Sequence, residues 1–123
     1  MQPHVKRLRQ EFQIKVKIGE ITASDCCAKC SRSAHEVFQL ELHHIVAIKD
    51  VPPDSTFNPN TQENVVTLCT DCHKAYHACY EPMDFKEYLA DVPLIDAYAK
   101  LHEYREQKRI HRAEQARKHR GRH

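Results

Sequence analysis

Two Cys-x-x-Cys pairs, Cys27/Cys30 and Cys69/Cys72, constrain this chain more than any other feature of it. A Cys-x-x-Cys turn presents two thiolates to one point. Two such turns complete a tetrahedral four-sulfur shell, closed to water and therefore structural. Disulfides or a redox motif are the alternatives. The first residues, MQPHVKRLRQEFQ, hold no apolar stretch of the secretory type, so a reducing, cytoplasmic compartment is expected. There, clustered cysteines serve metals more often than disulfides, and structural zinc is the expectation at these four positions. The 38 residues between the pairs exceed the common ribbon spacing and leave room for a hairpin between two knuckles. Cys26 would pair with Cys30 across three residues and fits a knuckle less well, and Cys79 falls on the helix after the second pair. No role is assigned to either.

A chain of 123 residues reads as one domain, 1–123, whose modest core a structural metal would support. No run of eighteen apolar residues exists, so no membrane is expected as a partner. The net charge of +2 hides an asymmetry: residues 1–17 sum to +4, residues 18–99 to −8 and residues 100–123 to +6. Basic ends around an acidic middle suit a polyanion, most simply nucleic acid, although a solubilising tail has the same composition.

Val5, Leu8 and Phe12 recur at helical spacing, whereas residues 14–18, IKVKI, alternate like a strand before Gly19. Residues 24–33 read as a turn. Residues 36–46, EVFQLELHHIV, read as a strand, and residues 49–64, with three prolines, as a loop. Residues 65–68, VVTL, form a second strand, after which Thr70 or Asp71 is placed to cap a helix beginning near Cys72. Asp84 and Glu87 have the spacing of a capping box. A last helix starts near residue 94 with Leu94, Tyr98 and Leu101 on one face, and its basic tail beyond Tyr104 projects or frays. The expected fold class is α+β, with a core at about 24–80 and a helical basic extension at about 94–123.

Ten histidines are many for this length. His73 and His77 are four apart and point the same way on a helix, where they can chelate one ion. An isolated His-x-x-x-His is usually surface decoration, but this one follows the second knuckle. His43 and His44 are adjacent on a strand, and adjacent strand side chains point to opposite faces. One is then a ligand and the other a free imidazole, able to take a proton from water near neutral pH. Asn64, at the loop-to-strand junction, can tie the loop or orient an imidazole, and NPNTQEN alone favours turn chemistry.

The order His43-His44, Asn64, Cys69-x-x-Cys72-His73-x-x-x-His77 resembles the HNH nuclease motif, and Cys27-x-x-Cys30 resembles its zinc-stabilised four-cysteine subgroup, in the small proteins of phages and bacterial genomes. The resemblance covers residues 27–77. It implies the ββα-metal fold and a metal-dependent endonuclease acting on double-stranded DNA. His44 would be the general base. His43, His73 and His77 would hold the catalytic divalent ion (Mg, Mn, Ni or Zn). Asn64 would be the middle residue that constrains the loop and the base. Cys27, Cys30, Cys69 and Cys72 would hold zinc. Many members follow the histidine pair with Pro and a Gly-Gly turn, where this chain has IVAIKDVPPDSTFNPN. Candidate phosphate contacts are Lys6, Arg7, Arg9, Arg105, Lys108, Arg109, Arg112, Arg117, Lys118, Arg120 and Arg122. The alternatives are a zinc-binding DNA-binding module without turnover, or an accessory partner of a phage packaging terminase docked through the C-terminal helix.

Overall fold

The computed structural model describes residues 2–121. Two compact units, Met1–Thr70 and Asp71–His123, meet in sequence where a strand passes into a helix. Arg122, one of the candidate phosphate contacts, lies outside the described residues.

The first unit opens with helix α1, Pro3–Lys17. Proline at its first turn supplies a preset φ and no unused N–H. The alternation in IKVKI is overridden: residues 14–17 stay in the helix, and Ile14, Val16 and Ile18 face solvent. The face decides the outcome, because Val5 is buried, Leu8 and Phe12 are partly so, and Lys15 extends the same side to the Asn60 carbonyl at 3.0 Å. A lone strand there would leave its backbone groups without a ladder, whereas the helix pairs its own. Gly19 ends the helix at φ +85, a left-handed conformation that costs glycine little, and the Glu20 N–H closes the end onto the Lys15 carbonyl at 2.9 Å.

The hairpin pairs β1, Leu40–His44, with β2, Val65–Cys69, in an antiparallel register that sets Leu40 opposite Cys69 and His44 opposite Val65. The loop between them is closed by the Ile45 N–H donating to the Asn64 carbonyl at 2.8 Å. The first knuckle is stitched to β2. The Ala28 N–H donates to the Thr67 carbonyl, and the Ser24 N–H to the Thr67 hydroxyl, both at 2.8 Å. Within the knuckle the Ser31 N–H donates to the Cys27 carbonyl at 2.9 Å, and Ser31 takes a positive φ of 64 to turn the chain.

Helix α2, Thr70–Ala75, opens on the last residue of the first unit; in the second unit it continues into a π-helical turn, Tyr76–Tyr80, followed by α3, Phe85–Asp91, and α4, Leu94–Arg120. Neither expected cap forms as the sequence suggests. Thr70 is already helical and its hydroxyl donates to the Gln39 carbonyl at 3.3 Å. The Asp71 carboxylate accepts from Arg105 at 2.9 Å, so an ion pair takes the group that would have capped. Asp84 precedes α3 without a side-chain cap bond, so the Asp84/Glu87 box is absent. What holds α3 is aromatic packing: Phe85 and Tyr88 are buried, with Tyr76 at centroid distances of 5.1 and 5.2 Å from them. On α4, Ala97 and Leu101 are buried while Leu94 is exposed, so the inward face is narrower than the spacing suggests. The basic tail stays helical to Arg120, consistent with its strong helix formers.

Candidate metal centre

The four predicted cysteines converge. One Sγ from each of Cys27, Cys30, Cys69 and Cys72 lies within 4.8 Å of all the others. The Cys30–Cys69 separation is 3.8 Å. Zn–S bonds of about 2.3 Å in a tetrahedron place sulfurs about 3.8 Å apart, so the donor set fits zinc. Among the described residues no disulfide joins the six cysteines. Among the groups that moderate the negative charge four thiolates would carry are the Cys30 N–H toward Cys27 Sγ at 3.5 Å and Arg32 Nε toward Cys30 Sγ at 3.4 Å. Cys72 sits on the first turn of α2, where its carbonyl accepts from the buried Tyr88 hydroxyl at 2.8 Å and its Sγ lies 3.5 Å from the Tyr98 hydroxyl. Cys26 is exposed and Cys79 is partly buried, and both stand outside the cluster. Burial raises the Cys79 thiol pKa, which suits an unreactive thiol.

A second cluster is nitrogen-based: one ring nitrogen from each of His43, His73 and His77 lies within 4.8 Å of the others. His73 and His77 bring their Nε2 atoms to 3.0 Å across one helical turn. Two imidazoles on one tetrahedral ion at about 2.0–2.1 Å would stand about 3.3 Å apart, so this pair needs little adjustment. His77 Nδ1 faces the Glu81 carboxylate at 3.1 Å. A carboxylate only accepts when ionised, so Nδ1 carries the hydrogen and Nε2 is left as a donor to a metal, as in other carboxylate–histidine–metal arrangements.

His44 points away from His43, as strand alternation requires. It is half-buried against the Phe12 ring, edge to face at 4.4 Å, and its Nε2 meets Asn60 Oδ1 at 3.0 Å. Burial lowers the His44 pKa below its ordinary value, and the Asn60 hydrogen bond opposes that only in part. The neutral imidazole is therefore the favoured form.

Asn64 does not bond His44. Its Oδ1 accepts from the Val46 N–H at 2.9 Å, and its Nδ2 donates to the Val46 carbonyl at 3.1 Å and to the Pro59 carbonyl at 2.8 Å. It ties both sides of the loop together. Sequence reasoning missed Asn60, which reads as turn composition beside Pro59. It also missed Glu81, whose i,i+4 spacing from His77 was a usable signal.

A basic groove lies on the second unit. Lys74, Arg105, Lys108, Arg109 and Arg112 line it around Tyr104. Among the described residues no helix is long and apolar enough to cross a membrane.

Residues 27–78 match the family model for HNH endonuclease. No curated protein and no solved structure gives a match to the chain. The matched segment holds both the four-cysteine cluster and the three clustered histidines, and residues 27–78 are an HNH endonuclease family domain.

Proposed function

We propose that this chain is a metal-dependent endonuclease that nicks or cleaves double-stranded DNA, working as one domain with a core at 24–80 and a basic extension at 94–123. The observation that carries the reading is the pairing of three clustered imidazole donors with a fourth histidine, His44, anchored separately in the very next residue of β1. The family domain supports the same substrate class. Cys27, Cys30, Cys69 and Cys72 hold structural zinc in this reading. A divalent ion held by His43, His73 and His77 would polarise a phosphoryl oxygen and neutralise charge on the departing 3′-oxygen.

The chain's own residues do the rest. Neutral His44 takes a proton from a water molecule. The water oxygen bonds to phosphorus in line as the P–O3′ bond breaks, leaving a 5′-phosphate and, after protonation, a 3′-hydroxyl. Asn64 keeps the loop that frames His44 closed by bonding Val46 and Pro59. Lys108, Arg109 and Arg112 are suited to holding phosphates, with little information about base sequence.

The test is supercoiled-plasmid cleavage by zinc-loaded protein with EDTA, Mg, Mn, Ni or Zn added, with His44→Ala alongside. Metal-dependent nicking lost in a folded His44→Ala variant supports the reading. A zinc-loaded protein that binds DNA and cleaves under no ion overturns it in favour of a binding module or packaging partner. A His44→Ala variant that unfolds would make this histidine structural.

A further inference from the structure

We propose that Asn60 is the positioning residue for His44: anchored by a carbonyl of α1, its amide holds the imidazole as the Nε2–H tautomer and leaves the Nδ1 lone pair as the base. The proposal rests on the nuclease reading for its catalytic consequence, but the tautomer follows from hydrogen-bond logic alone.

Asn60 is 1% exposed, and each polar group on it is engaged. Its Nδ2 donates to the Leu8 carbonyl at 2.8 Å, and its backbone N–H donates to Asn58 Oδ1 at 3.0 Å. Its carbonyl accepts from Lys15 Nζ at 3.0 Å. A backbone carbonyl can only accept. The NH₂ end of the amide must therefore face Leu8, since a flipped amide would set oxygen against oxygen in a buried place. That leaves Oδ1 toward His44 Nε2 at 3.0 Å. Oδ1 is an acceptor only, so Nε2 must carry the hydrogen. In the neutral ring the other nitrogen, Nδ1, then bears the lone pair.

Three residues of α1 act on this arrangement from one helical face: Leu8 through its carbonyl, Phe12 through its ring against His44, and Lys15 through its ammonium on the Asn60 carbonyl. All three precede residues 27–78, so the family domain gains its base-orienting support from a helix outside the matched segment. Asn60 itself lies four residues before Asn64, and the two amides have separate tasks. Asn64 closes the loop, whereas Asn60 links the loop, α1 and the imidazole.

The experiment is ¹H–¹⁵N spectroscopy of the His44 ring in the full-length, zinc-loaded chain, with steady-state plasmid cleavage on the same samples. Wild type, Asn60→Ala and Asn60→Asp are compared. Wild type is expected to show hydrogen at Nε2, with that proton protected from exchange. Asn60→Ala should lose the protection and drop kcat by about 10- to 100-fold with KM little changed, taking the scale known for partners that orient metal-bound imidazoles. Asn60→Asp keeps an acceptor at Nε2 but sets its second oxygen against the Leu8 carbonyl, so where it folds it should retain the protected proton and recover part of the lost kcat. Hydrogen at Nδ1 in wild type overturns the proposal, and so does a folded Asn60→Ala that keeps both the protected proton and kcat. Should the variants fail to fold, the wild-type spectrum decides: hydrogen at Nε2 supports the proposal and hydrogen at Nδ1 overturns it. Should wild type not cleave, the nuclease reading falls, and the spectra still decide whether Asn60 sets the tautomer.

Discussion

Replacing Asn64 tests whether its amide, rather than its bulk, closes the loop between the strands. Asn64 is 7% exposed and makes three side-chain bonds, one accepted from the Val46 N–H and two donated, to the Val46 and Pro59 carbonyls. Asn64→Ala removes all three. Val46 is 41% exposed, so its freed groups regain water and each loss costs about 0.5 kcal/mol. Pro59 is fully buried, and its orphaned carbonyl costs about 1–3 kcal/mol. The total is about 2–4 kcal/mol. Asn64→Asp is the sharper variant. It keeps the acceptor for Val46 N–H but turns a second carboxylate oxygen toward two carbonyls, and the buried charge adds its own cost. Asp should therefore be at least as destabilising as Ala, although it is nearly isosteric with Asn. The assay is urea unfolding at fixed, buffered free zinc, because metal binding contributes to apparent stability. An Asn64→Ala variant within about 1 kcal/mol of wild type would refute the reasoning, as would an Asp variant clearly more stable than Ala.

Cys69→Ser should lose zinc and unfold, since metal binding is folding energy in a domain this small, and a folded, zinc-free variant by circular dichroism and metal analysis would refute the structural role. Tyr88→Phe should cost about 1–2 kcal/mol by removing the hydroxyl that bonds the Cys72 carbonyl from a fully buried site. It should also weaken zinc retention against a chelator, and unchanged retention would show that this bond does not hold the knuckle. Lys108→Gln with Arg112→Gln should flatten the slope of log K against log salt for DNA by about 2. An unchanged slope would remove these two groove residues from the DNA contacts.

The grouping of the candidate metal ligands was legible in the sequence because it is written in spacing. Cys27/Cys30 and Cys69/Cys72 each span one tight turn, and His73/His77 span one turn of helix, so local geometry alone aims each pair at one point. That only one of His43 and His44 could join the histidine cluster was legible for the same reason, since a strand alternates its faces. The hairpin followed from its branched apolar runs and the proline-rich loop between them.

Where local signals competed with long-range partners, the partners won. IKVKI alternates like a strand but has no ladder to join, and the face set by Leu8, Phe12 and Lys15 carries it into α1. Asp71 spends its carboxylate on Arg105, 34 residues on, instead of on a helix end. Asn60 bonds His44 across 16 residues and Leu8 across 52. No spacing rule reaches that far, because a buried amide is placed by the acceptors and donors that fold around it. The sequence by itself determined which residues could bind metal and that one of His43 and His44 would stand apart from them. Only the tertiary structure decided which amide faces the His44 imidazole and which residues anchor that amide. That placement depends on hydrogen-bond partners supplied by a helix far away in the chain.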